Sequence, residues 1–370
     1  MYVHVYPNPP PGTRYARLQE FLVHAGEPPY RLRQLLRGVH DRGVGEFAEL
    51  TELPVRLRRL LAAEFGPTLT TLSPVASQHG PQVEKVLFES RQGARIETVL
   101  AKYRAHWTSL CVSTQVGCGL GCTFCASGAV GLVRNLDADE ICDQVLHFAP
   151  VDSIAFMGMG EALANPHTFP ALELLTGGDF HAIGPRRLTV STVGFAPGMR
   201  RLVAEHPQVN LTLSVHSPYD EERAELIPLQ NRFSLAECLG ILDDHVVASR
   251  RKVYLAYLLI DGINDSAAHA RALAALVRES RRPGLFHVSV IPYNDAAGVS
   301  ERFRRPPPAV VADFLATLRS RGIRASRRQQ FGGDLDAACG QLHARYLSGQ
   351  SGETATRAPG RRTSLDITEG

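Results

Sequence analysis

Lysine is almost missing from this chain. It occurs at Lys85, Lys102 and Lys252, and arginine supplies the rest of the 40 basic residues. Net charge is still only +3, so composition neither demands nor excludes a polyanionic partner. The arginine bias reads as a compositional habit rather than a binding signal. Also lacking is any uninterrupted apolar run of membrane-spanning length, and the opening MYVHVYPNPPPG has no basic stretch followed by an apolar one. A cytoplasmic protein with no membrane partner is expected. In a reducing compartment the seven cysteines read as thiols, metal ligands or transient redox partners, not as a disulfide framework. No repeat of solenoid length occurs.

What is present centres on Val116 to Gly128, VGCGLGCTFCASG, which places Cys118, Cys122 and Cys125 with three and then two residues between them. The same spacing would put three cysteines on one helical face. Gly117, Gly119 and Gly121 argue against that, because so many glycines are costly in a helix and natural where backbone wraps closely around an inorganic centre. A structural zinc site closes with four ligands, so three local thiols leave one position open, as a catalytic centre requires. A cubane iron-sulfur cluster held by three thiolates likewise keeps one iron for a small molecule. A non-catalytic RNA-binding module with a structural metal is the competing reading.

Around this loop the chain alternates in character. ARLQEFLVHAG, YRLRQLLRGVHDRG and VRLRRLLAAEFG are amphipathic helix candidates in a first unit that runs to Pro74. Their Arg31, Arg33, Arg37, Arg56, Arg58 and Arg59 form either a solvated face balanced by Glu46, Glu49, Glu52 and Glu64 or a contact to an RNA backbone. From Val83 the pattern is of strands: VEKVLFES, RIETVLAKY and SLCVST, the last leading into the cysteine loop. Thereafter apolar β runs (DSIAFMG, RLTVST, VNLTLSVH, KVYLAYLLI, FHVSVIPYN) alternate with helical ones, which argues an α/β fold with a parallel sheet wrapped by helices. Counting from SLCVST gives about six strands, a partial (β/α)6 barrel rather than the eight of a closed one. This core spans 75–346, and the Ser-, Gly- and Thr-rich stretch 347–370 reads as a disordered tail.

In parallel α/β barrels reacting groups gather at the C-terminal strand ends. There stand GMGEALAN with Gly160 and Glu161, Ser191 in STVG, Ser214, Val215 and His216 in SVHS, and Asn294 in IPYN. Together with the C-x3-C-x2-C loop and its aromatic before the last cysteine, these resemble the radical S-adenosylmethionine (SAM) superfamily. The match narrows to the class A radical SAM methyltransferases, the family of the RlmN and Cfr 23S rRNA adenine methyltransferases. It runs from about Tyr15 to Tyr346 through GEPPYRLRQL, RIETVLAKY, LCVSTQVGC, FMGMGEALAN, SVHSPYDEER, DGINDS and AACGQL. Ala162 and Gln330-Phe331-Gly332 stand where the RlmN branch usually has Pro and Thr-Arg-Gly, and so look like the Cfr branch. IPYN is compatible with either.

The resemblance implies a [4Fe-4S] cluster on Cys118, Cys122 and Cys125, with SAM on the open iron and on Gly160, Glu161, Ser191, Ser214, Val215, His216 and Asn294. It implies two SAM molecules per turnover. One methylates Cys339; the other is cleaved after cluster reduction to a radical that takes hydrogen from that S-methyl group, which then adds to adenine. Cys111 would release the product by forming a transient disulfide with Cys339, and Glu97 would accept the ring proton. The Cfr-like reading is methylation at C8 of an adenosine in the peptidyl transferase centre of 23S rRNA, with resistance to ribosome-targeting antibiotics. The alternative is RlmN-like methylation at C2, in rRNA and tRNA. Implied partners are a one-electron donor such as flavodoxin or ferredoxin and a thiol reductant, and a monomer is expected. The arginines that precede AACGQL (Arg302, Arg304, Arg305, Arg319, Arg321, Arg324, Arg327 and Arg328) are read as a basic approach to Cys339 or as a solvated face.

Overall fold

A computed structural model describes residues 7–103, 106–295, 299–329 and 341. Three amphipathic helices come first. Thr13, in extended conformation, caps α1 (Arg14–His24) by accepting from the Ala16 N–H. α2 (Tyr30–Arg42) ends at Gly43, whose φ of 66° is left-handed and which ties back to Gly38 and Val39; α3 (Val55–Phe65) stops at Gly66. Their apolar faces (Leu18, Leu22, Leu35, Leu36, Leu57, Leu61) bury in the same core cluster as the sheet. The helical unit is therefore packed onto the barrel rather than tethered to it.

Arg14 is the seam. Its Nη2 donates to Asp143 at 2.6 Å, its backbone N–H to Asp139 at 2.7 Å, and its Nη1 to the Leu69 carbonyl. Asp143 also accepts from the N–H and hydroxyl of Thr71 at 2.6 and 2.8 Å, so one carboxylate fastens both the first helix and the chain leaving the helical unit.

The strands β1 (Leu72–His79), β2 (Val83–Ser90), β3 (Arg95–Lys102) and β4 (Thr108–Val112) form an antiparallel flank. β1 begins at Leu72, so the boundary expected at Pro74 falls inside a strand. The hairpin β5 (Gln115–Gly117) and β6 (Leu132–Asn135) then brackets the cysteine loop and the short α4 (Ala126–Val130). α5 (Ala138–Phe148) opens with a capping box between Asp137 and Glu140. After it run β7 (Ser153–Phe156), α6 (Thr168–Thr176), β8 (Leu188–Thr192), α7 (Ala196–Glu205), β9 (Asn210–Ser214), α8 (Asp220–Leu226) and α9 (Leu235–Ser249). The chain continues through β10 (Val253–Leu259), α10 (Ala267–Glu279), β11 (Phe286–Pro292), α11 (Pro308–Ser320) and β12 (Ala325–Arg327).

All strands except β5 and β6 make one ten-stranded sheet in the order β1-β2-β3-β4-β7-β8-β9-β10-β11-β12. From β4 onward every pairing is parallel. The partial barrel thus holds the expected strands plus a further one, Ala325–Arg327, whose three polar-flanked residues carry no strand pattern of their own. It forms because β11 offers it an edge, with Val288 opposite Ala325. Parallel crossovers cover the sheet with helices on the outside, which leaves the strand ends as the place where loops can build a site.

A cavity at the strand ends

The barrel opens onto one cavity of about 240 Å³, walled by residues of β4, β8, β9, β10 and β11 together with the cysteine loop. Cys111, Cys118, Cys122, Cys125, Gly160, Glu161, Ser191, Ser214 and His216 all line it. Residues scattered over more than a hundred positions of sequence converge here because Gly160, Glu161, Ser191, Ser214 and His216 lie at or just beyond the ends of parallel strands, while the antiparallel β5–β6 hairpin carries the cysteine loop to the same place.

The cysteine loop is a loop, as its glycines require. Gly117 has φ of 77°, and a Cβ there would lie 1.8 Å from the Gly131 carbonyl oxygen. That contact is what lets the Cys118 N–H reach the same oxygen at 3.0 Å. Thr123 N–H donates to Leu226 at 3.1 Å, and Phe124 meets the His216 ring edge-on with centroids 5.0 Å apart. Burial pushes the Cys118 thiol up to about 12 and that of Cys122 well above its usual value. The thiols therefore keep their protons until a metal displaces them. Among the described residues no three Cys, His, Asp or Glu side chains converge on a single point. Three thiols on one cavity wall suit a cluster of the kind that Cys thiolates hold.

Beyond the loop, Gly160 has φ of 100°, and a Cβ would strike Gln115 at 2.5 Å. Glu161 is buried, accepting from the Val193 N–H at 3.0 Å and the Leu163 N–H at 3.3 Å. Burial lifts its carboxyl to about 7, against the pull of the groups at Val193, Thr192 and Leu163 that donate to it. On the other side of the cavity Leu258 N–H donates to His216 Nδ1 at 3.0 Å. In a neutral ring this puts the proton on Nε2. Asn264 secures the turn, donating to the carbonyls of His216 (2.6 Å) and Leu258 (2.7 Å) and accepting from Ile260 N–H (2.7 Å).

Three expected residues stand off the cavity wall. Val215 is buried with its N–H donated to Ala256 at 2.9 Å and its carbonyl accepting from Ser217 and Arg223. Glu97 is buried in β3, its carboxylate 3.1 Å from Lys85. Asn294 accepts from Arg305 at 2.9 Å, while its Nδ2 is buried without an acceptor, an unmet donor suited to a bound ligand. Cys339, Gln330, Phe331 and Gly332 lie outside the described residues. Gln341, two positions after Cys339 in the chain, donates to the Asp295 carbonyl at 2.7 Å. The arginine run is divided in its uses: Arg319 binds the Ala325 carbonyl, Arg302 lies over the Phe303 ring, and Arg328 lines the cavity with its Nη2 at the Met157 sulfur. Reading the sequence assigned no role to Arg223 or Asn264, although both sit inside quoted motifs, SVHSPYDEER and DGINDS.

The model of the Radical SAM superfamily matches residues 112–274, and that of the ribosomal RNA large subunit methyltransferase N-terminal domain matches residues 12–65. A ribosomal RNA large subunit methyltransferase Cfr of Bacillus velezensis is 46% identical over 339 residues, which is 90% of this chain and 97% of that protein. The chain belongs to the Cfr/RlmN family of radical SAM methyltransferases. A Cfr methyltransferase of Staphylococcus aureus is 44% identical over 343 residues, 91% of this chain and 98% of that one. A solved radical SAM methyltransferase from Sphaerobacter thermophilus, 38% identical, superposes with a TM-score of 0.85 over 92% of this chain and all of its own. As a radical SAM methyltransferase the protein uses a [4Fe-4S] cluster and SAM. No helix among the described residues is long and apolar enough to cross a membrane.

Proposed function

We propose that this radical SAM methyltransferase methylates C8 of a single adenosine in the peptidyl transferase centre of 23S rRNA, through a methylated Cys339, and thereby protects ribosomes from antibiotics. The observation that carries it is the shared wall: Cys111, seven residues upstream of Cys118 and on a different strand, lines the same cavity as the three cluster thiols. A SAM-cleaving site needs no such thiol. A reaction that ends by freeing a product from a protein sulfur does.

Cys118, Cys122 and Cys125 would hold the cluster; Glu161 would take the SAM ammonium group, Gly160 would admit the cofactor backbone-close, and Ser191, Ser214, His216 and Asn294 would bind its remaining polar groups. Bound there, the pair supplies the electron and the hydrogen-abstracting radical that an unactivated carbon requires. With both its backbone groups already bonded internally, Val215 would shape this turn rather than donate to the ligand. Cys339 would receive a methyl group by displacement, with S-adenosylhomocysteine leaving; after losing one hydrogen that carbon would bond to the base, and the odd electron would pass back to the centre that supplied it. Cys111 attacks the Cys339 sulfur, the S–CH2 bond breaks with its electron pair kept on carbon, and a disulfide remains for a cellular thiol to reduce.

Glu97 is the proton acceptor in this scheme. It shares a face of β3 with Val99 and Ala101, both of which line the cavity. Lys85, 3.1 Å away, fixes where the carboxylate points. The helical unit, with Arg37, Arg56 and Arg59 exposed, would follow RNA phosphates, and the adenine would be drawn from unpaired or remodelled RNA. A flavodoxin- or ferredoxin-like protein would supply electrons to the monomer.

Digests of 23S rRNA from cells with and without the gene, compared by mass spectrometry with synthetic 8-methyl and 2-methyl adenosine, test the assignment. The 8-methyl product is expected. The 2-methyl product alone would replace it by the RlmN-like reaction, and neither would overturn both. Cys339→Ala should abolish product and S-methylcysteine. Cys111→Ala should leave RNA covalently attached to protein, seen as a shifted band that ribonuclease trims; release at the wild-type rate would remove Cys111 from the scheme.

A further inference from the structure

Arg223 lies in α8 and is completely buried, at 0% exposure. Such a guanidinium normally brings a carboxylate with it, because an unpaired buried charge costs several kcal/mol. Here every recorded acceptor is neutral. Nε donates to the Val215 carbonyl at 3.0 Å, Nη2 to the carbonyls of Val193 (2.6 Å) and Ser214 (3.1 Å), and Nη1 to Gln230 Oε1. Asp220 stands one amide further away, accepting from Gln230 Nε2 at 2.6 Å.

The carbonyls it gathers are not random. Val193 and Ser214 line the cavity, and Val215 precedes His216. One planar fork thus pins the ends of β8 and β9 to each other. The helix that bears it is also bonded to the cysteine loop: Thr123, next to Cys122, donates its N–H to the Leu226 carbonyl at 3.1 Å and its hydroxyl to the Glu225 carbonyl at 3.2 Å. Three thiolates outweigh the positive core of a cubane, and each electron added increases the excess negative charge.

We propose that Arg223 is a positioning residue whose missing counter-charge is the iron-sulfur cluster itself: the guanidinium holds the β8 and β9 ends in register and its charge stabilises the reduced, more anionic cluster. This rests on the cluster being held by Cys118, Cys122 and Cys125, and it is independent of which adenine carbon is methylated.

Two consequences separate the roles of fork and charge. Removing the charge should lower the cluster's reduction potential. It should also shrink the gain in melting temperature on loading the cluster, because the metal-free protein carries the uncompensated charge and the loaded protein does not. The test uses full-length protein reconstituted without oxygen, as wild type, Arg223→Lys and Arg223→Met, with Asp220→Asn as a control for the carboxylate beyond Gln230. Potential is read by electron paramagnetic resonance during a dithionite titration with mediators, and melting temperature on metal-free and loaded forms.

For Arg223→Met the reduced-to-oxidised ratio at fixed potential should fall about tenfold, or about 59 mV for a one-electron couple, with a smaller melting gain. Arg223→Lys should keep the wild-type potential while weakening SAM binding, since one ammonium cannot hold three carbonyls. Should Arg223→Met fail to fold, Arg223→Lys and Asp220→Asn still decide: a potential that falls with Arg223→Lys, or as far with Asp220→Asn as is claimed for loss of Arg223, overturns the proposal. So does an unchanged potential and melting gain in Arg223→Met. Failure of wild type to bind iron at all would instead overturn the cluster assignment.

Discussion

Two buried arginines divide the molecule. Arg14, at the seam between helical unit and barrel, has Asp143 at 2.6 Å and Asp139 on its backbone N–H, and these carboxylates overcome burial to hold its proton more firmly than usual. Arg223, under the cavity, meets carbonyls and an amide, and burial makes its charge harder to keep. The first is a finished lock. The second is finished only when something anionic arrives, and the difference marks where the protein expects a ligand.

The largest expected effect lies on the cavity side. Cys122→Ala should lose cluster iron, SAM cleavage and product entirely, while the metal-free chain changes in stability by less than about 1 kcal/mol, as a small buried hydrophobe replaces another. Iron content and urea unfolding of metal-free protein check both halves; a large loss of metal-free stability would erase the contrast. On the seam side the order reverses. Asp143→Ala strands Arg14 and should cost about 3–5 kcal/mol, equally with and without cluster, measured by urea unfolding of both forms. A loss confined to the loaded form would mean that the seam, too, serves the ligand.

The smallest effect concerns protons at the seam. His40, hydrogen-bonded to Tyr15 and ring-to-ring with His181 at 4.5 Å, is pushed down from 6.5 to about 4 by burial first and then by Arg14, with Asp41 opposing. The folded protein therefore binds fewer protons than the unfolded chain between pH 6.5 and 4, and this contribution to stability is lost as pH falls through that window. Asp139, pushed up to about 6 by burial, works the other way, but equally in wild type and variant. His40→Asn should lose less stability than wild type over the same interval. Parallel pH–melting curves for the two proteins would show that His40 does not titrate there.

Much of the architecture was legible because its strands are buried on both faces. KVYLAYLLI and FHVSVIPYN read as apolar runs wherever they are placed, and the cysteine loop announced itself by glycines that a helix would not tolerate. β1 was less visible: most of LSPVASQH is exposed and its register slips between Pro74 and Ala76, so no alternation reaches the sequence. β12 owes its existence to the edge of β11. Arg223 was the costliest omission. In DEERAEL it looks like one more charge on a solvated, acid-rich helix, and only the packing of α8 beneath two strand ends turns it inward. Pairing of that kind is set by distant carbonyls, which leave no local trace.

His216 turns the chain at φ of 59° with a side chain where glycine would be easier, and Leu258 has already claimed its Nδ1. Burial and the neighbouring guanidinium push its basicity down to about 3. An imidazole so constrained has stopped being a proton carrier at any pH a living cell maintains. It behaves like one more peptide N–H, offered from a ring that cannot swap its tautomer, so whatever lone pair rests on it is met the same way in an acidified cell as in a growing one.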